Sequence, residues 1–247
     1  MHKRIIATAV IAALPLIAAG TATAGDNPIA ANVSLVSDYA YRGISQTDEK
    51  PALQGGFDYA HSSGLYVGVW GSNVSWLSDL ERGTDENSGN SLELDVYAGY
   101  KGAVGDFGYD VGLLQYVYPG EFDSSWRNTI GLKHPNTLEG YVGLSWKFLS
   151  FKYSNSLSNL FGAPDSKGSQ YFDLTAAYEV ITGTTLNAHY GRQMITGPAK
   201  SYADWKVGVS QAVAGLTVGL HYVDTDLKDK SDFDADARYI VSLSKAF

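Results

Sequence analysis

The chain has 247 residues, no cysteine and a formal net charge of −8. The missing thiols exclude a disulfide framework, a thiolate nucleophile and a cysteine-ligated metal, and the acidic balance argues against nucleic acid as a partner, because phosphates need a basic face. Beyond the N-terminus no apolar run approaches the ~20 residues of a membrane-crossing helix; a membrane β-barrel stays open, since its strands carry apolar residues only at alternate positions and mean hydropathy averages out.

His2, Lys3 and Arg4 form a short basic segment, residues 5–19 are apolar with interruptions at Thr8 and Pro15, and Ala22-Thr23-Ala24 has the small-x-small pattern of a cleavage site. This order is that of a secretory signal. The apolar run is too short for a bilayer-spanning anchor. Residues 1–24 are therefore expected to be a cleaved signal peptide, and 25–247 a single domain.

From there the period is two. Leu92, Leu94, Val96, Ala98 and Tyr100 alternate with Glu93, Asp95, Tyr97, Gly99 and Lys101, and the stretches around Leu174, Val207 and Leu220 repeat the pattern. Alternation of this kind is strand patterning. Twelve such segments follow in order: 31–44, 52–61, 65–73, 91–101, 107–118, 138–147, 150–157, 170–180, 184–191, 202–212, 216–224 and 236–247. Most are near the ~9–11 residues that a tilted strand needs to cross a bilayer.

The connections alternate too. Those at 62–64, 102–106, 148–149, 181–183 and 213–215 are short; those at 45–51, 74–90, 119–137, 158–169, 192–201 and 225–235 are longer and polar. Tight periplasmic turns, longer extracellular loops and an even strand number characterise outer-membrane barrels. The expected fold is an all-β, transmembrane, antiparallel up-and-down β-barrel with both ends on the periplasmic side.

Taking the apolar set as lipid-facing, Tyr39, Tyr41, Tyr59, Tyr100, Tyr109, Trp146, Phe172, Tyr178, Tyr190, Trp205, Tyr222, Tyr239 and Phe247 fall outward, where rings with a polar edge form girdles. The chain ends on Phe247, with Tyr239, Val241 and Leu243 in phase and Lys245 out of phase. Such a last strand is the expected contact with the barrel-assembly machinery, and a lysine near the interface can snorkel. Outer-membrane lipid and lipopolysaccharide are the other expected partners.

The opposite phase lines the lumen. The pore-lining candidates are Asp38, Arg42, Glu93, Asp95, Asp110, Lys152, Asp173, His189, Asp204 and Lys206, joined by Asp58, Lys101, Lys147, Glu179, His221 and Arg238. A one-residue slip would move a strand's charges into lipid. These residues read either as a channel lining or as an ionic network filling a narrow barrel. Asp38 and Arg42 stand roughly 13 Å apart along one strand and must find partners on others.

The sequence 36–46, Val-Ser-Asp-Tyr-Ala-Tyr-Arg-Gly-Ile-Ser-Gln, resembles the TorF-type family of proteobacterial porin-like outer-membrane proteins, and so do segments 203–210, 222–226 and 235–238. The resemblance spans essentially the whole mature chain. It implies an outer-membrane protein and carries no set of functional residues.

No enzyme signature stands beside it. The nucleophile elbow, the His-Glu-x-x-His helix and the phosphate-binding glycine loops are absent from the sequence. His189 and His221 fall on non-neighbouring strands, which favours wall residues over a metal pair. The acidic run from Asp224 to Asp236 lacks the glycine and glutamate of a calcium loop; a solvated extracellular loop, with cation bridging to lipopolysaccharide as the functional alternative, explains it. The expectation is a cofactor-free, non-enzymatic channel for passive diffusion of small hydrophilic solutes, with weak cation preference because acids outnumber bases in the lining. A plugged structural or adhesive barrel is the alternative; a lipid-acting enzyme is third.

Overall fold

The computed structural model describes residues 28–227 and 234–247; the signal peptide expected at 1–24 lies outside them, as does part of the acidic run. The elements in chain order are β1 (Ile29–Val36), β2 (Ala40–Tyr41), β3 (Ile44–Ser45), β4 (Ala52–Ala60), β5 (Leu65–Asn73), α1 (Trp76–Leu80), β6 (Leu92–Val104), β7 (Phe107–Val117), α2 (Ser124–Ile130), β8 (Thr137–Trp146), β9 (Leu149–Ser156), a 3-10 turn (Leu160–Gly162), β10 (Gln170–Ile181), β11 (Thr184–Met194), β12 (Tyr202–Val213), β13 (Leu216–Thr225) and β14 (Arg238–Ala246).

Twelve of these strands, β1 and β4 to β14, form a closed antiparallel barrel in which each strand pairs with its neighbours in sequence and β1 closes on β14. Closure removes the unpaired edges that an open sheet would expose, and it satisfies every strand against lipid. Short turns and both strand termini lie at one end; the long connections lie at the other. The turn at Ala214 and Gly215 has φ of 52° and 77°, the double left-handed geometry that matches strand twist in two-residue hairpins.

The outside is apolar. Phe57, Val96, Leu113, Leu144, Leu174, Leu186, Val207 and Val241 are all among the exposed large hydrophobics, and a continuous belt of this kind fits hydrocarbon rather than water. On the last strand Tyr239, Val241 and Leu243 face out as expected, and Lys245 sets its ammonium 4.8 Å from the centre of the Phe247 ring. The buried side chains are in the lumen and under the long loops. An aromatic cluster including Tyr39, Trp70, Tyr116, Tyr118 and, from α2, Trp126 packs together at the loop-side end.

Three expectations are corrected. The first strand ends at Val36, not at residue 44, and the chain then turns inward as the small β2–β3 hairpin. Tyr39 and Tyr41 consequently leave the lipid face: Tyr39 is buried inside, and Tyr41 packs against Tyr116 and Phe161. Lys147 sits in the β8–β9 turn with φ of 55°, its ammonium over the Trp146 ring, and does not line the lumen.

Candidate functional site: a lumen narrowed by an inward hairpin

The tip of the β2–β3 hairpin is Arg42-Gly43, with φ of 47° and 81°. Both central residues are left-handed, so this is again the hairpin turn that twisted strands prefer. An arginine there takes its side chain across the lumen. One guanidinium nitrogen of Arg42 donates to both carboxylate oxygens of Glu139 on β8, at 2.9 and 2.8 Å, and the other donates to Gln193 on β11 at 2.6 Å. The guanidinium also lies 4.2 Å from the Tyr171 ring centre and 4.8 Å from that of Tyr41. The Arg42 and Glu139 side chains are only 7% and 3% exposed, so the pair is a buried one.

The base of the hairpin is fixed by Asp38. Its carboxylate accepts from Arg238 on β14, from Ser45 and from Thr47, and Arg238 also donates to the Gly43 carbonyl at 3.1 Å. Asp38 and Arg42 thus do find partners on other strands, as required, but from a loop that crosses the lumen and not from the wall. Glu93 holds the hairpin from a third side, accepting from Tyr39 at 2.8 Å and from Tyr118 at 2.6 Å.

The remaining pore-lining candidates lie on barrel strands. Asp110 on β7 accepts from Tyr66 at 2.6 Å. Tyr66 also bonds Tyr141, and Lys152 on β9 places its ammonium 4.3 Å from the Tyr141 ring centre. His189 on β11 stands between two carboxylates, 3.2 Å from Asp173 on β10 and 2.9 Å from Asp204 on β12, and Tyr171 donates to Asp204. Both ring nitrogens of His189 are thereby engaged, which leaves no lone pair for a metal. Lys206 is half-buried on β12 beside His189 in register. Asp95 on β6 is fully buried, and neither of its oxygens has a hydrogen-bond partner.

At the long-connection end of the barrel the loops pack over the hairpin. Phe161 is the hub: its ring meets Tyr116, Tyr41, Tyr118 and Trp76 at centroid distances of 5.2, 5.5, 6.3 and 6.4 Å. Trp126 of α2 donates to Glu81 at 2.7 Å. Asp48, Asp79 and Asp234 have ligand-like spacing, but Arg82 donates to both Asp48 and Asp79, and Lys50 donates to Asp48. These hydrogen bonds hold the Asp48 carboxyl below its usual range, whereas burial and the neighbouring Asp48 and Asp79 raise that of Asp234. The triad is a cation-satisfied loop junction.

Sequence reasoning missed the inward hairpin and the Phe161 hub. Arg42-Gly43 carried a turn signal, but it lay inside an alternating run that read as one long strand. Phe161, at φ of 48°, had no periodic context at all.

An apolar outside, a charged inside and a long-loop end folded into its own lumen define a twelve-stranded closed antiparallel β-barrel of the kind that sits in a membrane. Solved structures agree on the fold. A KdgM porin superposes with a TM-score of 0.54 at 9% identity over 88% of this chain and 99% of that one. A KdgM porin in complex with disordered oligogalacturonate gives 0.52 at 10%, covering 89% and 98%, and a NanC porin gives 0.51 at 12%, covering 88% and 98%. No curated protein matches the sequence. The chain belongs to the Gcw_chp family, described as bacterial proteins of unknown function, which it matches over residues 20–247.

Proposed function

We propose that the protein is a narrow outer-membrane channel, of the TorF type, through which small hydrophilic solutes pass by diffusion. The observation that carries this reading is the Arg42 hairpin, which places a fixed charge pair across a lumen whose wall is lined by charged and tyrosyl side chains. Constrictions of this kind set selectivity through the charges they present. The partners of the reading are outer-membrane lipid and lipopolysaccharide on the outside, the assembly machinery at the last strand, and small solutes within.

One structure of similar fold holds an oligogalacturonate. A polyanion entering this lumen would meet the half-buried Asp58 and Asp110, with the buried Glu93, Asp95 and Glu139 on the same contiguous arc, β4 to β8. Like charges of that density oppose it, so neutral and cationic solutes are the favoured class here. Reversal potentials of the refolded protein across a potassium chloride gradient test this. Weak cation preference is expected, and anion preference would overturn it.

A second reading is favoured by the aromatic packing about Phe161 at the loop-side end: a plugged structural barrel. Normal folding with no conductance at any voltage is its signature.

A further inference from the structure

We propose that the turn-side half of the lumen holds a site for a small zwitterion, such as a free α-amino acid, between Asp110 and Lys152. The site deepens the channel reading and rests on it.

Asp110 of β7, Gly143 of β8 and Lys152 of β9 are register partners in one row across three adjacent strands, so all three positions share the lumen face. The two charged residues stand about 10 Å apart at their Cα atoms, which is two strand spacings. The glycine between them leaves a hollow. At Gly68, Gly99, Gly112 and Gly191 a tyrosine lies where a side chain would begin, whereas an added Cβ at Gly143 would meet only the Asp110 Cβ at 3.5 Å and backbone oxygens at 3.8 and 3.9 Å. Asp110, Gly143 and Lys152 are half-buried, while Tyr141 and Ser154 on the same face of β8 and β9 are buried. The hollow therefore opens on the lumen.

The two charges beside it do not satisfy each other. Asp110 accepts from Tyr66 on one oxygen at 2.6 Å, and its other oxygen has no donor among the described residues. Lys152 sets its ammonium 4.3 Å from the Tyr141 ring centre and makes no ion pair among the described residues. Tyr66 and Tyr141 are hydrogen-bonded to each other and hold the acid and the base apart. The next charges in the row are engaged or turned aside. Asp173, opposite Lys152, binds His189 at 3.2 Å and Thr175 at 2.8 Å. Lys101, opposite Asp110, rests 5.3 Å from the Tyr66 ring centre. Asp110 lies in the field of both lysines. An anion at Lys152 would thus face Asp110, and a cation at Asp110 would face the two lysines, so a single charge is opposed at either end. A solute carrying both charges is favoured at both ends: its ammonium donates to the free Asp110 oxygen, and its carboxylate accepts from Lys152.

Saturation-transfer NMR on the refolded mature protein, with L-alanine as the probe, tests the site. Propionate and ethylammonium are the controls, since each keeps one of the two charges. Saturable transfer to L-alanine is expected, with each control bound at least about tenfold more weakly. Lys152→Gln and Asp110→Asn should each weaken L-alanine by a similar factor. Gly143→Val, which fills the hollow with a residue suited to strands, should abolish binding. If these variants fail to fold, the two single-charge controls on the wild type decide. A control that binds as tightly as L-alanine, or L-alanine binding unchanged in any folded variant, would overturn the site. Ohmic current without saturable L-alanine binding would overturn the site and spare the channel. L-alanine bound in a barrel that carries no current would instead overturn the channel reading alone.

Discussion

The two halves of the lumen are held by different kinds of contact. In the turn-side half, polar side chains bond around the wall. Tyr97 on β6 lies over Gly68 of β5 and reaches Asp58 on β4 at 2.6 Å; Tyr66 on β5 lies over Gly99 of β6 and reaches Asp110 on β7. A side chain on either glycine would strike the tyrosine ring. In the loop-side half, contacts cross the lumen: Arg42 joins one hairpin to β8 and β11, and Asp38 joins it to β14. Wall-following bonds keep an interior lined, whereas crossing bonds draw it shut. The crossing contacts are thus made by one hairpin and its four anchors, Glu93, Glu139, Gln193 and Arg238.

The strongest way to break this contrast is Arg42→Ala. It leaves Glu139 buried without its counter-charge, a change that costs about 3–5 kcal/mol for a buried pair. Hydrogen exchange should show the loss at the hairpin and at residues packed on Phe161, with barrel-strand amides unchanged. Equal loosening of both halves would contradict the division.

Tyr97→Phe sharpens the contrast from the other side. It removes one phenol hydrogen bond to a carboxylate, worth about 1.5–3 kcal/mol, while the ring stays over Gly68. Chemical denaturation should register a smaller loss than for Arg42→Ala, and exchange at the hairpin should not change.

The smallest effect is expected at the loop junction. The Asp48 carboxyl is held below its usual range by Lys50 and Arg82, so its contribution is present above the ordinary carboxylate range and is lost as pH falls through its lowered value. Asp234 is shifted the opposite way by burial and its acidic neighbours, so protonating it on mild acidification relieves repulsion. Limited proteolysis of the loops should thus change little between pH 7 and pH 5 and rise only in stronger acid. A rise already at pH 5 would show that other groups hold the junction.

Legibility in the sequence follows the same division. The twelve strands, their alternation and the short–long order of connections were written in period-two patterning, because lipid on one side imposes a strict rule on every second residue. Strand β5 was legible to the residue at both ends. The inward placement of Glu93, Asp95, Asp110 and Asp204 followed from the same rule. What alternation cannot encode is a loop that re-enters the lumen. Tyr39 and Tyr41 kept the outward phase of the strand before them, yet face inward because the chain has left the wall after Val36. Contacts such as Arg42 with Gln193, 151 residues apart, depend on closure of the whole barrel and have no local signature.

If the Arg42 hairpin narrows a conducting lumen, single-channel recording of the refolded mature protein beside Arg42→Ala will show it. Discrete ohmic steps are expected in the wild type and larger steps in the variant. A folded, heat-modifiable barrel that shows no conductance in either form would contradict a conducting lumen.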